Sequence, residues 1–176
     1  RFSWAEENKT QEVQNYRIGI GDLLQIEVYD EEDLTKEVRV LTDGFISFPL
    51  LGTLKASGLT VGDLEKEMTQ RLAEKYLVDP HVTVFVKEFS DIYVFGEVKQ
   101  PGAFPLYGKM TVFEAITLAG GFTEVANKSK IKVIRQLEDG QEQTFEVNIE
   151  KASKGEASQD IELQARDRIV VLRSFF

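Results

Sequence analysis

The sequence predicts an α+β protein made of two small mixed-sheet modules, each crossed by one helix. Three observations carry this prediction. Apolar residues alternate with polar ones, the signature of half-buried strands, on both sides of two helical stretches. Each helical stretch opens with a threonine followed three residues later by an acid. Two segments of the first half are also echoed in the second. Gly58-Leu59-Thr60-Val61 matches Gly108-Lys109-Met110-Thr111-Val112 with one residue inserted, and Gly21-Asp22-Leu23-Leu24-Gln25-Ile26 matches Arg166-Asp167-Arg168-Ile169-Val170-Val171.

Taken in order, residues 1–15 read as a flexible arm, polar apart from Phe2, Trp4 and Val13. Ile26 and Val28 then alternate with Gln25, Glu27 and Tyr29, and Val38 and Val40 with Glu37 and Arg39, giving two strands around an acidic loop, Asp30 to Asp33. Asp43-Gly44 predicts a hairpin turn after which Phe45 to Leu50 resumes the sheet. Val61, Leu64, Met68, Leu72 and Tyr76 recur at helical spacing, so a helix is expected over 61–76 with these on its buried face. Its capping box is a weak one, because Asp63 stands where Glu or Gln is usual. Asp79-Pro80 stops it, and Val82, Val84 and Val86 form the next strand.

A second unit is expected to begin around Glu88 to Asp91. Ile92 to Val98 and Phe104 to Leu106 read as strands joined by a type II turn at Pro101-Gly102. Thr111 and Glu114 make a fuller capping box for a short helix burying Val112, Ala115, Ile116 and Ala119, closed by Gly120-Gly121. Strands follow at Ile131 to Gln136, Thr144 to Ile149 and Arg168 to Arg173, with Glu138 to Gln141 as the loop between the first two. Whether the last strand joins the second sheet or the first is left open by the pattern.

Composition narrows the function. The 176 residues carry a net charge of −9 and no cysteine, which removes disulfides, thiolate metal sites and thiol nucleophiles together. Residues 1–90 hold 10 Lys/Arg against 17 Asp/Glu, and residues 91–176 hold 11 against 13. This balance argues against nucleic acid as a partner. The longest mostly apolar stretch, Phe45 to Leu54, is far short of a membrane-spanning helix, and nothing resembles a signal peptide. No catalytic constellation is present. The one histidine, His81, reads as a strand-end residue rather than a metal ligand, and Glu31, Glu32 and Asp33 as solvated acids rather than a glycosidase pair. Gly19-Ile20-Gly21 leads into a strand and Gly120-Gly121 closes a helix, so neither is a nucleotide loop. No catalytic, metal or cofactor-binding residue is therefore assigned, and no cofactor is expected. Phe85, Phe89, Tyr93, Phe95, Phe104 and Tyr107 cluster in sequence around the boundary between modules. Packing is the ordinary role of such rings, and stacking on sugars is the alternative.

Several segments together resemble the polysaccharide biosynthesis/export protein family. Tyr16 to Val28, Val40 to Gly52 and Gly58-Leu59-Thr60 resemble its export domain. Val94 to Val98, Pro101-Gly102 and Leu118 to Gly121 resemble a soluble-ligand-binding β-grasp (SLBB) domain. The resemblance implies an export domain over 16–89 and a β-grasp-like SLBB domain over 90–176. It also implies a non-enzymatic structural subunit of a capsule or exopolysaccharide export complex, periplasmic and associated with the outer membrane. The implied partners are the polysaccharide chain, identical subunits in a homo-oligomeric ring conduit, an inner-membrane polysaccharide co-polymerase and a separate outer-membrane β-barrel. The alternative is a monomeric β-grasp module that binds a glycan or other small ligand. Departures from the family pattern within residues 1–176 are Ile20 where many relatives have Pro, Arg166 where Gly is usual, no lipid-anchor cysteine, which either lies upstream of Arg1 or does not exist, and no pore-forming helix before Phe176. An autonomous pore is not expected.

Overall fold

The structure, a computed structural model, describes residues 16–137, 139–152 and 160–174. The expected arm over 1–15 and the loop residue Glu138 lie outside the described residues. The chain divides into two compact units, Arg1–Ser90 and Asp91–Phe176, and the α+β expectation holds in both.

In the first unit β1 (Leu23–Val28) lies between β2 (Lys36–Arg39) and β5 (Val82–Glu88), antiparallel to both. Strand alternation sends Leu24, Ile26 and Val28 into the core and turns Leu23, Gln25 and Glu27 outward. The helix α1 (Val61–Lys75) buries Leu64, Met68 and Leu72 in the same core. Tyr76, expected on that face, is instead the residue capping the helix C-terminus and is exposed. The Asp43-Gly44 turn forms, with Leu41 N–H donating to the Phe45 carbonyl at 2.9 Å. The chain beyond it does not resume the sheet. β3 (Phe45–Phe48) pairs only with β4 (Gly52–Lys55), a strand the apolar run had concealed, in a separate two-stranded sheet. A tight reversal at Pro49 to Leu51, with Leu50 at φ 67°, makes the hairpin and delivers Ile46, Phe48 and Leu54 to the core. Within the acidic loop, a 3-10 turn at Glu32–Leu34 buries Leu34.

The second unit contains β6 (Asp91–Gly96), β7 (Gly102–Pro105), α2 (Val112–Leu118), β8 (Ala126–Gln136), β9 (Glu142–Val147), the short α3 (Ile149–Ala152) and β10 (Arg168–Arg173). Its sheet has the order β7-β6-β10-β8-β9 and is mixed, with β10 parallel to β6 and antiparallel to β8. The last strand thus belongs to the second sheet, at its centre. Val112, Ala115, Ile116 and Ala119 pack from α2 as expected, and Gly121 N–H caps the helix on the Ile116 carbonyl at 2.9 Å.

Three expectations are corrected here. Gly102 does not take the positive φ that a type II turn requires; it starts β7 opposite Val94. The glycine that geometry demands is Gly96, at φ 85°, where a Cβ would stand 2.1 Å from the Val171 carbonyl oxygen. Thr144 to Ile149 is not one strand. Pairing ends at Val147, and Asn148 Oδ1 accepts the Lys151 N–H at 3.0 Å to open α3. β8 begins five residues before Ile131, its polar start (Asn127, Lys128, Ser129, Lys130) having hidden the strand.

Each unit builds the same arrangement, but in a permuted chain order. β1 and β10 each pair antiparallel with the strand that follows their unit's helix, β5 or β8. Shortly before β1 and before β10, the chain makes a single bridge to the helix-capping threonine, Arg17 with Thr60 and Glu162 with Thr111. In the first unit this strand precedes the helix. In the second it follows.

Candidate functional site

Two buried aspartates organise the units. Asp22 accepts the Tyr16 hydroxyl at 2.6 Å and the Gly19 N–H at 2.8 Å on one oxygen, and the Ser90 N–H at 2.8 Å on the other. Ser90 Oγ donates to the Ile20 carbonyl at 2.6 Å, closing the turn from outside. Burial, reinforced by the Asp22 charge, pushes the Tyr16 hydroxyl far above its ordinary pKa, so it stays protonated and donates. In the second unit Asp167 accepts the Gln164 N–H at 2.8 Å and a two-pronged contact from Arg135, at 2.9 Å through Nε and 2.7 Å through Nη2. The Arg135 guanidinium also reaches the Glu162 carbonyl at 3.0 Å and lies 5.1 Å over the Phe145 ring. Among the described residues no buried side-chain nitrogen or oxygen lacks a hydrogen-bond partner. These clusters are turn-holding devices. Sequence reasoning finds the echo around the two aspartates but misses their partners, because Ser90 and Arg135 are distant in sequence from the carboxylates they serve.

Both capping boxes form, and they differ in opposite senses on their two sides: the Asp63 N–H reaches Thr60 Oγ1 at 3.1 Å and the Glu114 N–H reaches Thr111 Oγ1 at 3.4 Å. Thr111 N–H reaches the Glu114 carboxylate at 2.8 Å, whereas Thr60 N–H is 3.4 Å from that of Asp63, which is one methylene shorter. Hydrogen bonds from the Thr60 side chain and backbone hold the Asp63 carboxyl below its ordinary pKa.

The candidate residues of the sequence are not brought together. His81 is exposed at the entry to β5, its Nδ1 3.1 Å from the Asp79 carbonyl. Glu32 and Asp33 are exposed on the 3-10 turn, with Glu31 half-buried. Among the described residues no group of three or more His, Asp or Glu is placed to hold a metal, and no helix is long and apolar enough to cross a membrane. The six aromatics separate as well. Phe89 packs edge-on against Tyr16 with centroids 4.9 Å apart. Phe104 joins the second core, Tyr107 is exposed, and Phe85 projects from the outward face of β5. Only Tyr93 and Phe95 form a surface feature together. They stand on the outward face of β6 with centroids 6.4 Å apart and planes within 6° of parallel.

The class so defined is a two-unit α+β protein whose buried polar groups hold turns. Sequence comparison places it more narrowly. The profile of the polysaccharide biosynthesis/export protein family matches residues 10–87, and that of the SLBB domain matches residues 92–146. The chain is 34% identical over 147 residues to the "EPS I polysaccharide export outer membrane protein EpsA" of Ralstonia solanacearum, an alignment covering 68% of this chain and 39% of that protein. It is 30% identical over 124 residues to the "Exopolysaccharide production protein ExoF" of Rhizobium meliloti (strain 1021), covering 64% of this chain and 30% of that one. The chain belongs to the polysaccharide biosynthesis/export protein family. It spans two fifths or less of the length of these relatives.

Proposed function

We propose that this chain is a structural, non-enzymatic part of an exopolysaccharide export complex in the periplasm, associated with the outer membrane. The observation that carries this reading is the succession of matches: the export profile on the first unit, then the SLBB profile on the second. The relatives' printed names, which specify polysaccharide export and exopolysaccharide production, supply the cargo. The export module runs over 16–89 and the β-grasp module over 90–176. Identical subunits close head-to-tail into a ring conduit around the polymer. An inner-membrane co-polymerase feeds the ring, and an outer-membrane β-barrel completes the route.

Two measurements test this. Deleting the gene should abolish extracellular polysaccharide and leave its precursors inside the cell, and restoring the gene should reverse both effects. Light scattering on the 20.0 kDa chain should give a discrete oligomer whose mass resists dilution. Undiminished extracellular polymer in the deletion strain would overturn the export role. A dilution-independent monomer that binds glycan would replace the ring with the soluble binding module.

A further inference from the structure

The outward face of the second sheet is ordered from aromatic to cationic to acidic. Tyr93 and Phe95 project from β6, each substantially exposed, at 36% and 44%. On one side their neighbours are slight. Ala103 is the β7 residue opposite Tyr93, and Phe95 lies beyond the end of β7 pairing. On the other side β10 places Arg168 beside Tyr93 and Val170 beside Phe95. The next strand, β8, sets the exposed Lys132 beside Val170. The acids Glu142 and Glu146 stand on β9, the strand farthest from the rings, with Glu146 directly opposite Lys132. Asp91, at the foot of β6, is half-buried. Glu142 forms an ion pair with Arg168, whose side chain remains 42% exposed.

The geometry points to this ribbon as a contact surface for the polysaccharide itself, of a kind bearing carboxylate groups. The inference rests on the export reading above and specifies where and how the polymer touches this chain. The C–H face of a pyranose is apolar and matches the electron-rich face of an aromatic ring, while hydroxyls and carboxylates at the sugar's rim need donors. Two parallel rings along one strand, bordered on a single side by Arg168 and Lys132, present both features along one line. A second protein copy fits less well, because Arg168 and Lys132 stand among the apolar residues Tyr93, Phe95, Val170 and Ile134 of this face, whereas stable interfaces have an apolar core with few charged residues. The contact is also open and shallow, which suits a polymer that must slide past.

The test is titration of the chain, by calorimetry and by chemical-shift mapping, with a polyuronate hexasaccharide and a neutral glucan hexasaccharide. Shifts are expected at β6 and β10, with the polyuronate binding more tightly and losing affinity as salt rises. Phe95→Ala and Tyr93→Ala should each weaken polyuronate binding about tenfold, with thermal unfolding unchanged, and Phe95→Trp should preserve it. Phe85→Ala, which removes an exposed ring on the first unit, is the control and should have no effect. Absence of binding, an equal loss in Phe85→Ala, or dissolution of an oligomer by Phe95→Ala would each overturn the contact. None of these outcomes would contradict a loss of export in the deletion strain, so the two readings fail separately.

Discussion

Asp22 and Asp167 occupy the same position in two copies of one turn. Each is fully buried, and each accepts the backbone N–H of the residue three before it, Gly19 or Gln164, at 2.8 Å. Each follows a residue in the left-handed region, Gly21 at φ 93° and Arg166 at φ 68°. The carboxylates differ in their outer partner, a tyrosine hydroxyl in one unit and a guanidinium in the other. That difference sets how each unit responds to substitution.

Removing Asp22 strands three donors in the first core. Asp22→Ala should destabilise that unit by about 3 kcal/mol or more, whereas Tyr16→Phe, which removes one donor and leaves the backbone contacts, should cost about 1 kcal/mol. Hydrogen exchange at the amides of β1 reads both.

Arg135→Leu leaves Asp167 charged and buried without its counter-ion, an expected loss of about 3–5 kcal/mol. Substituting both residues by leucine should recover part of it but not all, because the Gln164 N–H then loses its acceptor, and a double-mutant cycle in urea unfolding should show coupling.

Gly96 and Gly58 both have positive φ, but only Gly96 faces backbone. A Cβ there would meet the Val171 carbonyl oxygen at 2.1 Å, whereas one at Gly58 would meet nothing within 4 Å. Gly58→Ala should cost about 1 kcal/mol of backbone strain. Gly96→Ala must also separate β6 from β10, so loss of slow-exchanging amides across that parallel pair is expected.

Arg166→Gly relieves the same strain at an exposed residue. It should raise the stability of the second unit by about 1 kcal/mol, measured as a higher urea midpoint at unchanged slope.

Asp63 supplies a pH dependence whose sign follows from its lowered pKa. A carboxyl that is more acidic folded than unfolded contributes stability above its unfolded pKa, and that contribution fades as pH falls through the folded value. Asp63→Asn should therefore weaken α1 at neutral pH, with the gap to the parent protein closing in acid below about pH 4. Helicity followed by circular dichroism across that range checks this.

Much of the fold was legible because its signals are local. Val82, Val84 and Val86 alternate without interruption, and Leu64, Met68 and Leu72 keep helical spacing. What escaped depended on partners far along the chain. In Phe45 to Leu54 the fold-back uses two residues at positive φ, Leu50 and Gly52, and only the glycine could signal it in the sequence. The Asn127 to Lys130 segment lies inside the register shift of β8, which extends to Ala126 because Arg173 of β10 pairs there, not because these residues favour a strand. On the surface, the aromatic run was visible, but only the sheet register separates Tyr93 and Phe95, which face outward side by side, from Phe104, which faces the core.

The permuted order gives the two units opposite timetables. In the first, the strand that the others need, β1, is made before its partners, and each later segment can add to an existing template. In the second, β6 with β7 and β8 with β9 can form only two separate ribbons until β10 arrives to bridge them. Closure of that sheet waits on residues 168–173, and β6 must find them across more than 70 positions of chain, a long-range step that slows folding. A chain emerging from a narrow channel would thus present a finished first unit while the second still exposes the unpaired edges of both ribbons.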